Sequence, residues 1–288
     1  MANPVLATSQ SSSGSGTSLV ATFPSGLTAG DEMNMIVSWY DNATSPTLTT
    51  PSGWTSKQNA FSNFVGLAML TKTATAGDVS DGSVTLTFST GSGGRYSFVS
   101  RITGSALGSE IAGTEIDSGD DTTSPSHTTA ITPVTAESLV IMAFAGTKLG
   151  APFSKTSLSA YATTPTVTFT EAADLGDNNG DLGFGIAYGD YDGTTQFTAR
   201  TATFSSPMNR QIYSVIAVYT APVSATGTNT LLSVSPSFFA PTGRADTNGT
   251  NTLLSVSPTI FSQSGRVTGE TAWTNEDPAS TTWTNETI

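Results

Sequence analysis

The sequence contains no cysteine, which excludes disulfide staples, zinc–thiolate centres and thiol nucleophiles and leaves stability to packing and association. Charge is scarce too. Asp, Glu, Lys and Arg make up 11% of 288 residues, against roughly 25% in an ordinary soluble chain, so the polar surface must come from Ser, Thr, Asn and Gly. Cations are the scarcer sign, with 10 Lys and Arg against 22 Asp and Glu and a formal charge of −12. A field of that sign repels phosphate backbones and anionic lipid surfaces at long range, which argues against nucleic-acid partners. No run approaches the roughly 20 apolar residues that span a bilayer. The start, Met1-Ala-Asn-Pro4, has neither the basic segment nor the apolar stretch of a secretion signal. Synthesis in a cytosol without membrane insertion is the expectation. With one histidine, His127, two- and three-histidine metal sites are excluded by count.

Helical periodicity is nearly missing, whereas short alternating apolar runs bounded by Gly, Pro, Asn, Asp and Ser recur throughout. Such runs place strands at Leu19–Phe23, Met33–Tyr40, Phe64–Lys72, Ser83–Ser89, Tyr96–Thr103, Leu139–Ala145, Thr166–Thr170, Phe184–Tyr188, Phe197–Phe204 and Ile212–Thr220. The class is all-β, and the expected fold is an antiparallel two-sheet sandwich, jelly-roll-like, over residues 1–223. This region looks internally doubled, with halves at about 1–125 and 126–223. Each half has an alternating strand ending in Thr-Phe-Ser (Thr87-Phe88-Ser89 and Thr203-Phe204-Ser205), then a loop with Arg and a Ser-containing apolar strand. Upstream, Ala29-Gly30-Asp31 and Ala136-Glu137-Ser138 each introduce a buried-looking strand. Two halves sharing one sandwich is the economical reading, and two separate small sandwiches is its rival.

Residues 224–288 differ in character. The segment from Gly227 to Pro236 returns unchanged from Gly249 to Pro258, an offset of 22, and both copies close with Gly-Arg. The tandem units therefore cover 227–244 and 249–266, and a shorter Trp-Thr-Asn-Glu pair, at Trp273 and Trp283, covers 273–286. Each longer unit carries a few large apolar residues (Leu231, Leu232, Phe238 and Phe239; Leu253, Leu254 and Phe261), too few to offset the entropy of ordering it alone. The expectation is an extended array that assembles against neighbouring chains, with these residues and the two tryptophans as partner contacts.

Candidate chemistry is thin. His127 lies in the loop-like Ser124-Pro-Ser-His-Thr-Thr129 with no Gly-x-Ser-x-Gly elbow to supply a nucleophile. No nucleotide-binding glycine motif is present. The acids Glu110, Glu115, Asp117, Asp120 and Asp121, and the group around Glu171, read as solvated loops rather than a glycosidase pair. The best metal candidate is Asp174-Leu-Gly-Asp-Asn-Asn-Gly-Asp181, whose Asp174, Asp177 and Asp181 offer oxygen ligands to calcium. It fails the EF-hand spacing, and a turn between strands explains it equally well. No cofactor is expected beyond that ion. Trp39 belongs to an apolar strand and to the core. Trp54, in Thr50-Pro-Ser-Gly-Trp-Thr55, either plugs a sandwich end or offers a stacking face to a glycan.

Taken together, Ala29-Gly-Asp31, the strand with Trp39, Thr50-Pro-Ser-Gly-Trp-Thr55, Lys72-Thr-Ala-Thr-Ala-Gly-Asp78 and Phe88-Ser89 resemble the β-sandwich of tailed-bacteriophage structural proteins over about residues 15–220. The terminal Trp-Thr-Asn-Glu tandem is similar to short C-terminal segments of phage particle proteins. The resemblance implies a virion component of the decoration, fibre or tail-associated class, made in the host cytoplasm, with no catalytic residues to carry over. It also implies partners: further copies of the chain, with trimers preferred, and other virion proteins. The second half lacks the Pro-Ser-Gly-Trp element. A receptor- or carbohydrate-binding module at a fibre tip, meeting a host surface glycan, is the alternative, and a polysaccharide depolymerase is the third.

Overall fold

Every sheet in the computed structural model is antiparallel, and the first half shows why. Residues 4–41, 45–62, 64–91, 93–105, 110–112, 116–118, 123–148, 157–177, 182–208 and 211–220 are described. The first half contains β1 (Val5–Ser15), β2 (Ser18–Thr22), β3 (Glu32–Tyr40), β4 (Leu48–Thr49), β5 (Thr55–Ser62), β6 (Val65–Thr73), a short helix α1 (Ala76–Asp81), β7 (Ser83–Phe88) and β8 (Gly94–Thr103). In β2 the apolar Leu19 and Ala21 are buried and their neighbours exposed, the alternation of a strand with one wet face. In β3 all residues but the last are buried, so both of its faces are covered. These strands form a large sheet, β1-β8-β3-β6-β5, and a small one, β2-β7-β4.

The second half contains β9 (Glu110–Ala112), β10 (Ile116–Ser118), β11 (Ser126–Ile131), β12 (Ser138–Thr147), β13 (Leu158–Thr164), β14 (Thr170–Asp177), β15 (Leu182–Tyr191), β16 (Phe197–Phe204) and β17 (Gln211–Thr220). Its large sheet runs β10-β17-β12-β15-β14 with β9 also on β17, and its small sheet runs β11-β16-β13. Strand for strand this repeats the first half, and the match reaches single hydrogen bonds. Phe88 N donates to Thr17 O at 2.9 Å and Phe204 N to Thr123 O at 2.7 Å. Ser89 N donates to Thr47 O at 3.0 Å while Thr47 N donates back to Ser89 Oγ at 3.0 Å. Ser205 and Ser157 exchange the same two bonds, at 2.8 and 3.0 Å. The Thr-Phe-Ser motif is thus a latch between the end of one small-sheet strand and the start of the next. Gly30 (φ 97°) and Glu137 (φ 70°) sit at matching places ahead of β3 and β12. The non-glycine residue there carries a backbone cost of about 1 kcal/mol.

The halves do not share one sandwich. Each encloses its own core, and the two large sheets pack on each other, giving four layers. Met33, Met35, Val37 and Trp39 of β3 point to the first small sheet with Leu86 and Phe88. Ile36 points the other way, joining Val65, Leu67, Met69 and Phe98 against Leu139, Ile141, Phe184, Val215 and Tyr219 of the second half. In β12 the same split sends Met142 and Phe144, and Val140, towards the second small sheet. Strands covered on both faces need apolar residues at consecutive positions, which is why Leu139 to Ala145 reads as an unbroken run.

Two differences from the sequence reading have local causes. β1 is an edge strand whose Ser-rich stretch, Gln10 to Ser15, is largely exposed and so carries no apolar alternation. The strand expected at Thr166–Thr170 is instead β13 and β14 on either side, both edge strands with weak burial patterns. The helix follows from a capping box: Thr75 accepts from Asp78 N, Asp78 accepts from Thr75 N, and Gly82 (φ 65°) closes the other end. Among the described residues no helix is long and apolar enough to cross a membrane. The tandem units at 227–244, 249–266 and 273–286 lie outside the described residues.

Candidate ligand groove

Three of the segments that carry the resemblance meet at one end of the first sandwich. Asp31 Oδ2 accepts from Thr28 N and Thr28 Oγ1, both at 2.8 Å, and from Arg101 Nε at 2.6 Å. Gly30 N donates to Ala74 O, and Ala74 N donates to Asp31 O, both at 2.8 Å, so the Ala-Gly-Asp turn is stitched to the end of β6. Lys72 Nζ lies 2.5 Å from Asp78 Oδ1, the carboxylate that caps α1. The Pro-Ser-Gly-Trp turn closes with Trp54 N donating to Pro51 O at 3.1 Å. Gly53 (φ 78°) brings that turn over Lys72: a Cβ there would stand 3.3 Å from Cε and from Nζ.

Between these segments lies an open groove of about 560 Å³. The turn contributes Ser52 and Gly53, edge strand β5 contributes Thr55 and Lys57, and β6 contributes Thr71, Lys72 and Thr73. Glu32 of β3 and the helix cap Thr75 complete it. Antiparallel register sets Thr55 opposite Thr71 and Thr73 opposite Glu32, and directly paired residues project to the same face of a sheet. That face also carries Ile36 and Met69, so the groove begins where the apolar contact between the large sheets ends.

Glu32 is 6% exposed. Burial pushes its carboxyl above the ordinary value, against the hydrogen bond from Ser105 Oγ (2.6 Å) and the charge of Lys57, which both favour the anion. Asp31 and Asp78 behave oppositely. Burial alone would raise them, but hydrogen bonds from Thr28 and Arg101, and from Lys72 and Thr75, hold both below the ordinary range. Asn34, next but one to Glu32, donates from Nδ2 to the Tyr219 hydroxyl of the second half, and burial holds that phenol well above its ordinary range.

A pH signature follows. A carboxyl whose folded value is raised opposes folding at neutral pH, and this penalty disappears as pH falls through the folded value towards the unfolded one. Glu32→Gln, which keeps an acceptor for Ser105, is expected to raise the melting temperature at pH 7 and to match the parent near pH 4.5, the ordinary value of the group. Melting curves for the pair across that window check it. A variant less stable at pH 7 would show that the charged form is the favoured one.

The sequence candidates fall elsewhere. Trp54 is 6% exposed and packs in the first core, 6.3 Å from the Phe23 ring. A sugar cannot stack on a face already covered by protein, so of the two roles open to Trp54, packing at the sandwich end and stacking on a glycan, its burial fits the first. His127 is not in a loop: it is buried in β11, its Nδ1 2.5 Å from Ser214 Oγ, which also accepts from Arg200 Nε at 2.7 Å. This cluster lies inside the second sandwich beside Phe144, closed to substrate. Asp174 lies within β14 opposite Gly185 rather than in a turn, and Asp177 ends that strand; Asp181 is outside the described residues. Among the described residues no three His, Asp or Glu side chains gather as a metal site. Leu231, Leu232, Phe238, Phe239, Leu253, Leu254, Phe261, Trp273 and Trp283 all lie outside them. The groove residues escaped sequence reasoning because they come from three separate stretches, 32, 52–57 and 71–75, that only strand pairing brings together. Two signals were present: Ser52, Gly53, Thr55, Lys72, Thr73 and Thr75 lie within motifs that carry the resemblance, and two of the four lysines of the chain, Lys57 and Lys72, stand on neighbouring strands.

Comparison with protein-family models, with curated proteins and with solved structures finds no match.

Proposed function

We propose that the chain is a non-enzymatic structural component of a tailed-bacteriophage virion, of the decoration, head-fibre or tail-associated class, working as a homo-oligomer. The observation that carries this reading is the duplicated stack itself. In each half the large sheet follows one strand path, β1-β8-β3-β6-β5 and β10-β17-β12-β15-β14, and the small sheet another, β2-β7-β4 and β11-β16-β13, so the same antiparallel arrangement is built twice. Both sandwich interiors are filled by side chains, with Trp39, Phe88, Phe144, Phe197 and Phe204 at most 2% exposed, as suits a rigid building block. The charge-poor, Ser- and Thr-rich composition, the C-terminal repeats with their few large apolar residues and the resemblance support the same reading, with the array as the element that joins a trimer and its virion partners.

Truncation after residue 224 tests it. The shortened chain is expected to keep its β-sheet signal, to sediment as a monomer and to be lost from particles, measured by analytical ultracentrifugation and by mass spectrometry of purified virions. An unchanged oligomer mass with unchanged incorporation rejects the assembly role. The groove favours a second reading, a receptor- or carbohydrate-binding module at a fibre tip. The two are compatible in a protein that anchors by one region and recognises by another.

A further inference from the structure

We propose that the groove beside Trp54 binds an acidic saccharide, a sugar ring bearing a single carboxylate. Its volume of about 560 Å³ lies within the roughly 300–1,000 Å³ of small-molecule sites and accommodates one or two pyranose rings. The lining is unusual for such a site in having no aromatic or aliphatic wall. The side chains of Thr55, Thr71 and Thr73 share a sheet face with Glu32 and line it. A threonine hydroxyl both donates and accepts, as a sugar hydroxyl does, so a row of them meets a polyol without leaving either side unsatisfied. These groups stand on paired strands, which fixes their spacing before any ligand arrives.

Charge selects among polyols. The chain carries −12 overall yet places two of its four lysines here. Asp78 occupies one of the three N–H donors of Lys72, and Lys57 stands exposed at the irregular step of β5 between Ser56 and Gln58. This one exposed ammonium, whose charge also reaches the Glu32 carboxyl, matches a single ligand carboxylate. A doubly charged phosphate would meet that same ammonium against twice the repulsion from the rest of the chain. The pairing also assigns a purpose to the Pro-Ser-Gly-Trp turn: Trp54 anchors it in the core while Ser52 and Gly53 form the groove wall, Gly53 leaving room for the head of Lys72.

Saturation-transfer NMR and chemical-shift titration of the full-length chain with glucuronate, glucose and inorganic phosphate decide the matter. Glucuronate is expected to bind about tenfold more tightly than glucose, the worth of one charge-assisted hydrogen bond, and phosphate more weakly than glucuronate. Lys57→Gln, at an exposed position, brings glucuronate to the level of glucose. Thr71→Val weakens both sugars. Binding of neither sugar, equal binding of the two, preference for phosphate, or indifference to Lys57→Gln each overturns the proposal. None of these results bears on the truncation test of virion assembly, so the two readings fail separately.

Discussion

Gly66→Ala is expected to destabilise the first sandwich by about 3 kcal/mol or more, the upper end of what forcing atoms into a packed core costs. Gly66 stands opposite Trp39 in the β3–β6 ladder, and a Cβ on it would lie 2.1 Å from Cε2 and 2.3 Å from Cζ2 of that indole. The ring has nowhere to go. Its Nε1 donates to Pro46 O at 3.1 Å, Phe61 stacks on it at 6.2 Å with an interplanar angle of 11°, and Phe88 leans on it at 5.6 Å. Against a total stability of about 5–15 kcal/mol for a typical domain, such a loss is large. Urea unfolding followed by tryptophan fluorescence reads it as a lowered midpoint. Gly77→Ala is the control. Its Cβ would meet nothing nearer than Thr75 Oγ1 at 3.5 Å, and alanine is the better residue in a helix. A Gly66→Ala midpoint no lower than that of the control would show that the indole can shift.

The second large effect is expected from Asp41→Asn. The Arg95 side chain is fully buried, with Nη2 3.6 Å from Asp41 Oδ2. Nη1 donates to Tyr40 O at 2.6 Å and Gly94 O at 3.0 Å, and the guanidinium lies 4.7 Å over the Phe88 ring. Burial pushes the guanidinium value down and Asp41 pushes it back up. Glycines let the loop close over the pair: a Cβ at Gly91 would strike Asp41 Oδ2 at 2.3 Å and Arg95 Nη2 at 2.4 Å, and one at Gly93 would overlap Tyr40 O. Removing the negative partner leaves a cation in a site closed to water, at a cost of about 3–5 kcal/mol. Replacing both partners by apolar residues, Asp41→Leu with Arg95→Met, is expected to restore most of that loss, because the desolvation cost of both charges goes with them. Chemical denaturation of the single and double variants measures the coupling. A loss below about 1 kcal/mol for Asp41→Asn would place the stabilisation in the carbonyl contacts instead.

These two sites also show how far the sequence could be read. The all-β class, most strands and the doubling were legible because alternation and the Thr-Phe-Ser latch are local, and the latch makes the same bonds in both halves. The four-layer arrangement was not. A strand such as β12, buried throughout, announces two covered faces but not what covers them, and one shared sandwich explains the run as well as two stacked ones do. Edge strands β1, β13 and β14 were missed or misplaced because a solvated strand needs no apolar alternation. Trp54 illustrates the limit for the site. The motif Pro-Ser-Gly-Trp marked the right place in the chain, yet burial belongs to the indole and exposure to its neighbours, a division set by Phe23 and the first core. Glu32, Lys57 and Thr71 have no motif at all, and pairing between strands is what brings them together.

The position of β17 has a mechanical consequence. This strand ends the described chain at Thr220 and is flanked on both sides, by β12 through nine residue pairs and by β9 and β10 through three each. Tension applied to whatever follows Thr220 therefore runs along the axis of a strand held from two sides. Its ladder bonds lie across that axis and bear the load together in shear, whereas an edge strand pulled sideways would unzip one bond at a time. A tether leaving from this point therefore loads the molecule through a strand paired on both sides.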